Sequence, residues 1–293
     1  MDKTPTLTVF TPTYNRAYCL HRGYEALKRQ TCKDFMWLVV DDGSIDNTRE
    51  LVEKWQTEAD FTIQYIYKEN GGMHTAHNTA YQNIYTELNT CIDSDDYMTD
   101  DAVEKIIKFW KENGNDKYAG IIGLDATKDG QIIGTKFSDD LKETTLNGFY
   151  ARGGKGDKKL VYRTDVINAY PAYPEFENEK FVPLDYKYLL VDQNYRLLTL
   201  NASLVIVEYM PDGSIKNIFK QYRNNPKGFA FSRLSRIQYG VTFKERFKNA
   251  IHLVSSSIFM GDYSWLFKTK HLYLVLLAIP FGIILNFYIR IKV

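Results

Sequence analysis

Cysteine is scarce in this 293-residue chain: Cys19, Cys32 and Cys91 form no CxxC pair and make an odd count. That excludes a disulfide framework and a cysteine-based zinc site, and suits a reducing compartment. Net charge is also lacking, +1 from 37 basic and 36 acidic residues. Repeats and biased tracts are missing, and with 44% hydrophobic residues the chain is not a disordered one. Residues 1–7 are too polar and short for a secretory leader, so the expectation is a fold that begins at once and faces the cytosol. Four chemical signatures are absent too. No GxGxxG follows the first strand, no GxxxxGK[ST] is present, and neither GxSxG nor HExxH occurs. Dinucleotide binding, P-loop phosphoryl transfer, the hydrolase nucleophile elbow and the zincin helix are thereby removed.

The near-neutral total conceals an asymmetry. Residues 216–293 hold 13 Lys or Arg against Glu245 and Asp262, a net +11, so residues 1–215 carry −10. A basic, aromatic-rich tail behind an acidic body calls for an anionic partner, either nucleic acid or anionic lipid. The one long apolar run favours lipid, and no nucleic-acid partner is expected. Leu272 to Ile289 is 18 residues without a charge, interrupted by Pro280. As a helix it spans ~27 Å, against ~30 Å of bilayer hydrocarbon. Lys268, Lys270 and His271 precede it and Arg290 and Lys292 follow, so flanking charge gives no orientation. Each basic residue near an anionic leaflet adds ~1 kcal/mol of attraction. Segment 272–289 is thus expected to associate with a membrane as a short span, a re-entrant hairpin or an interfacial helix. The bland alternative is a buried C-terminal helix or a dimer seam.

The body alternates strand-like and helix-like segments. Leu7 to Thr11 is β-branched, and Ala17 to Gln30 places Leu20, Tyr24 and Leu27 at helical spacing. Met36 to Val40 is a continuous apolar run of the kind buried in a parallel sheet. A helix over Leu51, Val52 and Trp55 follows, then strands at 62–67 and 90–93. Thr99 is placed to cap a helix carrying Val103, Ile106, Ile107 and Trp110 and ending at Gly114, and 119–124 reads as another buried strand. This order predicts an α/β fold with a doubly wound sheet, whose ligands gather at the carboxyl ends of the strands.

Three of those ends carry ligand-reaching residues: Thr11 to Arg16 (TPTYNR), Asp41 to Ser44 (DDGS) and Asp93 to Asp96 (DSDD). Asp93 and Asp95, two apart past a strand, can face one pocket. Such hard oxygen ligands suit Mg²⁺ or Mn²⁺ with substrate phosphates completing the shell. An Asp-rich turn that merely caps the next helix is the plainer reading, and Asp96 or Asp100 fits it.

Four segments in order, TPTYNR (11–16), VVDDGSIDNT (39–48), ENGGMHTAHN (69–78) and CIDSDD (91–96), resemble glycosyltransferase family 2, inverting nucleotide-sugar transferases of GT-A fold. The resemblance is strong over residues 5–125 and fainter to about 210. It implies a GT-A-like mixed sheet flanked by helices, a catalytic domain over 1–215 and a basic C-terminal region over 216–293. Thr11, Pro12 and Tyr14 would form the nucleobase wall. Asp42 would accept from the base imide, which favours a UDP-sugar. Asp93 and Ser94 would meet the ribose and diphosphate, and Asp95, with Asp93, would hold Mn²⁺ or Mg²⁺. Asn70 and Asn78 would line the donor site. The chain departs from the family at Met73, His74 and His77, where Lys or Arg is frequent; a histidine could serve a phosphate, or 74 and 77 could form a metal pair.

Inversion also implies a carboxylate base, usually opening a helix in the second half. The chain offers Glu175, Glu177, Glu179 and, further on, Asp185; Glu179 is the expected base, with Glu177 in reserve. YMPDGSIKN (209–217) reads as a lid-like loop. Without a QxxRW motif, transfer of one sugar per encounter is expected, to a glycan or lipid-linked glycan of surface polysaccharide synthesis at the cytoplasmic face of the inner membrane. An inactive nucleotide-sugar-binding scaffold is the rival; a nucleotidyltransferase would want a glycine-rich basic loop after the first strand.

Overall fold

The structure, a computed structural model, describes residues 4–208 and 218–293. The expected lid at 209–217 lies outside the described residues. The chain divides into two units, residues 4–171 with 194–208, and residues 172–193 with 218–293.

The first unit is built on a nine-stranded mixed sheet. Its strands are β1 (Leu7–Thr13), β2 (Phe35–Asp41), β3 (Thr62–Tyr67), β4 (Leu88–Cys91), β5 (Tyr97–Met98), β6 (Tyr118–Ala126), β7 (Glu143–Thr144), β8 (Lys158–Arg163) and β9 (Arg196–Ile206). The spatial order is β3-β2-β1-β4-β8-β6-β9-β5, with β7 on β9. β3, β2, β1 and β4 run parallel, so their carboxyl ends meet at one edge of the sheet. β8 then inserts antiparallel between β4 and β6.

Helices α1 (Ala17–Lys28), α2 (Thr48–Glu58), α3 (Met73–Asn83) and α4 (Ala102–Asn113) connect the parallel strands and lead to β6; α5 (Leu146–Ala151) and α6 (Thr164–Asn168) are short. β1 and β2 are buried throughout, as a parallel strand covered on both faces must be. Period-two alternation sorts their side chains. Leu7, Val9, Phe35, Trp37 and Val39 meet α1, α2 and α4 through Leu20, Tyr24, Val52, Trp55 and Ile106. Tyr24 stacks on Trp55 at 4.5 Å. Phe10 points the other way and meets His77 and Tyr81 of α3. The cap expected at Thr99 falls two residues later, at Asp101, and the Thr99 hydroxyl instead donates to the Ser203 carbonyl (3.1 Å).

The second unit is helical: α7 (Asp185–Val191), α8 (Ile218–Asn224), α9 (Pro226–Tyr239), α10 (Phe243–Met260), a 3-10 turn at Tyr263–Phe267, and α11 (Leu272–Lys292). By internal contacts this unit also takes in residues 172–193. Residues 172–193 join the C-terminal helices because Phe181 stacks on Phe229 (5.2 Å), Tyr186 meets Phe231 (4.6 Å), and Asp185 pairs with Arg236. β9 then carries the chain back into the sheet.

Candidate active site

At the shared edge, Thr13, Asp41 and Tyr67 stand side by side in register on β1, β2 and β3. The loops beyond them are stitched by side chains. Asp41 accepts from Ser44 N (2.7 Å) and from the Tyr65 hydroxyl (2.6 Å), so it shapes the turn rather than facing a ligand. Asn15, at φ 51°, donates its N–H to Ser44 Oγ (2.8 Å) and accepts from Ile45 N (2.9 Å). Those bonds tie TPTYNR to DDGS and leave the Tyr14 ring 47% exposed at the edge.

Asp42 anchors the third loop. Its Oδ1 accepts from Lys68 Nζ (2.6 Å) and Gly71 N (3.0 Å), and its Oδ2 from Gly72 N (2.7 Å) and Asn70 Nδ2 (3.0 Å). Four donors fill the acceptor capacity of a carboxylate. Gly43, at φ +85°, lets the two loops touch: a Cβ there would lie 2.7 Å from Asn70 N. Residues 69–72 are thereby wound around one buried anion before α3 begins.

Past β4, the DSDD motif divides. Asp93 is exposed and Ser94 and Asp95 are half-buried, whereas Asp96 is buried and accepts from Glu208 N (3.1 Å). Glu208 in turn pairs with Arg22 (2.6 Å). Asp96 thus sutures the end of β9 to the motif, and burial, reinforced by Asp93, pushes its carboxyl up to about 7. Crowding by surrounding protein desolvates Asp93 and pushes it up as well; Lys159 opposes this, while Asp95 and Asp157 add to it.

Two residues of this cluster escaped the sequence reading. Lys159 on β8 donates to the Cys91 carbonyl (2.8 Å). Burial pulls its ammonium down, but Asp125, Cys91, Asp93 and Asp96 outweigh that and hold it protonated. Asp125 on β6 is 4% exposed, its Oδ1 lacks a hydrogen-bond partner, and its burial pushes it up. As an acid just past the apolar run 119–124, Asp125 carried the same strand-end signal as Asp41 and Asp93. Lys159 carried none, since a lysine beginning a strand looks solvated.

Other expected residues sit elsewhere than the pattern suggested. The Thr11 hydroxyl accepts from Trp37 Nε1 (3.0 Å) inside the core, so Thr11 supports the strand while Pro12 and Tyr14 lead toward the edge. His74 and His77 are each 1% exposed. His77 Nε2 lies 3.7 Å from Cys91 Sγ and its ring meets Phe10, so this imidazole packs inside the protein. Asn70 and Asn78 are half-buried.

In the second unit, Glu179 Oε1 accepts from Lys227 N (2.9 Å) and Oε2 from Gly228 N (2.8 Å), two of the donors that the start of α9 leaves open. Burial raises its carboxyl, against those two bonds. Glu177 is exposed. The carboxylate that opens a helix is Asp185, in the first turn of α7, bonded to Ser232 Oγ (3.1 Å) and Arg236.

Among the described residues no three His, Cys, Asp or Glu side chains converge to hold a metal ion. Asp93 and Asp95 still fit one. They are two solvent-reached carboxylates in an acidic cluster, and Mg²⁺ or Mn²⁺ takes one or two carboxylates and completes its shell with phosphate oxygens.

The family model described as Glycosyl transferase family 2 matches residues 8–170. Glycosyltransferase GlyA of Streptococcus pneumoniae is 36% identical over 102 residues, 35% of this chain and 14% of that protein. The hyaluronan synthase of Pasteurella multocida is 32% identical over 108 residues, 37% of this chain and 11% of that one. The matches therefore span only a small part of these relatives. Among solved structures, Staphylococcus aureus TarS 1–349 in complex with UDP-GlcNAc superposes with TM-score 0.63 at 18% identity, over 91% of this chain and 76% of that one. Mannosyltransferase PcManGT from Pyrobaculum calidifontis, with GDP-Man and Mn²⁺, gives 0.58 at 16% identity, over 99% and 84%. Fold and family model agree: the chain belongs to glycosyl transferase family 2.

Proposed function

We propose that the chain moves one sugar from a UDP-sugar to a glycan acceptor. The observation that carries this reading is that the Asp42-anchored loop and the Asp93–Asp95 motif follow parallel strands whose carboxyl ends share one edge of the sheet. Pro12 and the open face of Tyr14 form the wall for the base. Asp42 meets the base imide, which favours uracil, by exchanging the Lys68 ammonium on its Oδ1 for the imide N–H when the donor binds. Asn70, Asn78 and Ser94 line the donor, and Lys159 adds a fixed positive charge beside the diphosphate side. Asp93 and Asp95 hold Mn²⁺ or Mg²⁺, whose charge, when the ion is bound, offsets that of the departing diphosphate.

The base is a carboxylate that takes the proton of the acceptor hydroxyl as the new bond forms at the anomeric carbon with inversion. We assign it to Asp185 rather than Glu179 or Glu177. Glu179 caps the start of α9 with both oxygens, whereas Asp185 is the carboxylate that opens a helix, held there by Ser232 and Arg236. The acceptor is proposed to be a lipid-linked glycan of surface polysaccharide synthesis, met at the cytoplasmic face of the plasma membrane, where the basic unit of 172–193 and 218–293 holds the enzyme. The catalytic machinery is proposed to occupy residues 1–215, and transfer is one sugar per encounter.

Release of nucleoside diphosphate from UDP-, dTDP- and GDP-sugars with Mn²⁺, with membrane extract as acceptor source, tests this. Turnover of a UDP-sugar that EDTA and Asp95→Ala both abolish is expected. UDP binding without turnover of any donor would instead mark a nucleotide-sugar-binding scaffold, and turnover unaffected by EDTA would remove the ion.

A further inference from the structure

Among the described residues, α11 is the one helix long and apolar enough to cross a membrane, but its surroundings do not suit a span. One stripe, Leu274, Val275, Ala278, Gly282, Asn286 and Ile289, is buried. It lies along α10. Phe281 meets Phe247 (5.8 Å), Asn286 Nδ2 donates to the Ser255 carbonyl (3.1 Å), and Arg290 lies over the Phe259 ring (5.1 Å). At Gly282 the helices touch: a Cβ would come 2.4 Å from Val254 Cβ and 2.8 Å from the Ile251 carbonyl.

α10 cannot follow α11 across hydrocarbon. Its first half carries Lys244, Glu245, Arg246 and Lys248, and Glu245 pairs with Arg236 (2.9 Å), which also holds Asp185. Arg233 of α9 donates to Asn249 of α10 (3.0 Å). A perpendicular α11 would either carry this ionic layer into the bilayer or leave α10, stranding Asn286 and the Gly282 stripe.

The opposite side of α11 is apolar from end to end. Tyr273, Leu276, Leu277, Ile284, Phe287 and Ile291 project there, Ile284 67% and Phe287 66% exposed. At 100° per residue they fall on one half of the helix, opposite the buried stripe. A continuous apolar face of this size on a soluble surface marks an interaction site. The exposed cations Lys244, Lys248, Lys268, Lys270, Arg290 and Lys292 belong to the same helical unit, where Asp262 is an isolated exposed acid among residues 241–293. Positive charge of this density complements anionic headgroups and would repel a second copy of the same face.

We propose that α11 lies flat in the headgroup–acyl boundary of an anionic leaflet, Leu276, Ile284 and Phe287 inward, with α10 as its backing; it does not cross. This rests on the membrane reading above and specifies its form.

The test uses the full chain with phosphatidylcholine vesicles, plain or containing phosphatidylglycerol. Co-sedimentation with the anionic vesicles only, weakened by salt and reversed by alkaline carbonate, is expected. Ile284→Glu with Phe287→Glu should lower the bound fraction roughly a hundredfold or more, since two apolar side chains leave the acyl boundary. Circular dichroism should be unchanged, because both side chains project from the fold. Phe287→Trp should be quenched by shallow-brominated lipid more than by deep-brominated lipid. Binding that survives carbonate, with a C-terminal tag protected inside sealed vesicles, would overturn the flat helix and leave membrane attachment standing. Absence of binding to either vesicle, with or without self-association through this face, would overturn the membrane reading itself.

Discussion

His74 is expected to make folding of the first unit acid-sensitive. The imidazole is 1% exposed and neither ring nitrogen has a hydrogen-bond partner, so charging it in place is costly. Burial, helped by Lys68 and opposed by Asp42, lowers its pKa to about 4 from an ordinary 6.5. In the sign of the linkage, the unfolded chain binds a proton between those values that the folded chain refuses. The contribution is complete above pH 6.5 and lost as the pH falls to about 4. A shift of this size corresponds to about 3 kcal/mol, at a slope of about 1.4 kcal/mol per pH unit for one proton. Denaturant unfolding at a series of pH values reads it by tryptophan fluorescence in a Trp265→Phe background, because the other three tryptophans, Trp37, Trp55 and Trp110, lie in the first unit. His74→Leu should stay within ~1 kcal/mol of the parent at neutral pH, as no hydrogen bond is lost. Its acid slope should be shallower by that one proton. An unchanged slope in the variant would refute the assignment.

Asp42→Ala should destabilise the first unit by about 3–5 kcal/mol, because Lys68 and two glycine amides lose their buried acceptor together; denaturant midpoints measure it, and a change below ~1 kcal/mol would mean the loop holds itself. Gly282→Val should cost about 1–3 kcal/mol by driving α11 off Val254, seen as a lower melting temperature of the C-terminal helices. Asp185→Asn should lower kcat by roughly a hundredfold or more with donor KM unchanged, as befits a lost base. Glu179→Gln should act mainly on stability, by about 0.5–2 kcal/mol for a weakened cap. The opposite ranking in paired kinetics and melting curves would return the base to Glu179.

The local pattern made the helices and parallel strands of the first unit legible, because a buried parallel strand must be apolar on both faces and Phe35 to Val40 is apolar without a break. Chain order put TPTYNR, DDGS and DSDD at strand ends, and parallel pairing then brings those ends to one edge. The resemblance in those same motifs was enough to indicate the family. Which side a strand residue faces needs the pleat and its register. Thr11 sits in the motif that resembles a nucleobase wall, yet its hydroxyl faces inward and accepts from Trp37. Pairings across long separations were equally hidden. Lys159 reaches Cys91 across 68 residues, and Glu179 reaches the start of α9 across 48, so nothing local marks either partner. The apolar run at 272–289 signalled a surface in search of a partner from composition alone. That one face of it is already covered by α10 depends on how two helices meet at Gly282, a close approach that side-chain volumes in three dimensions set and a one-dimensional pattern does not hold.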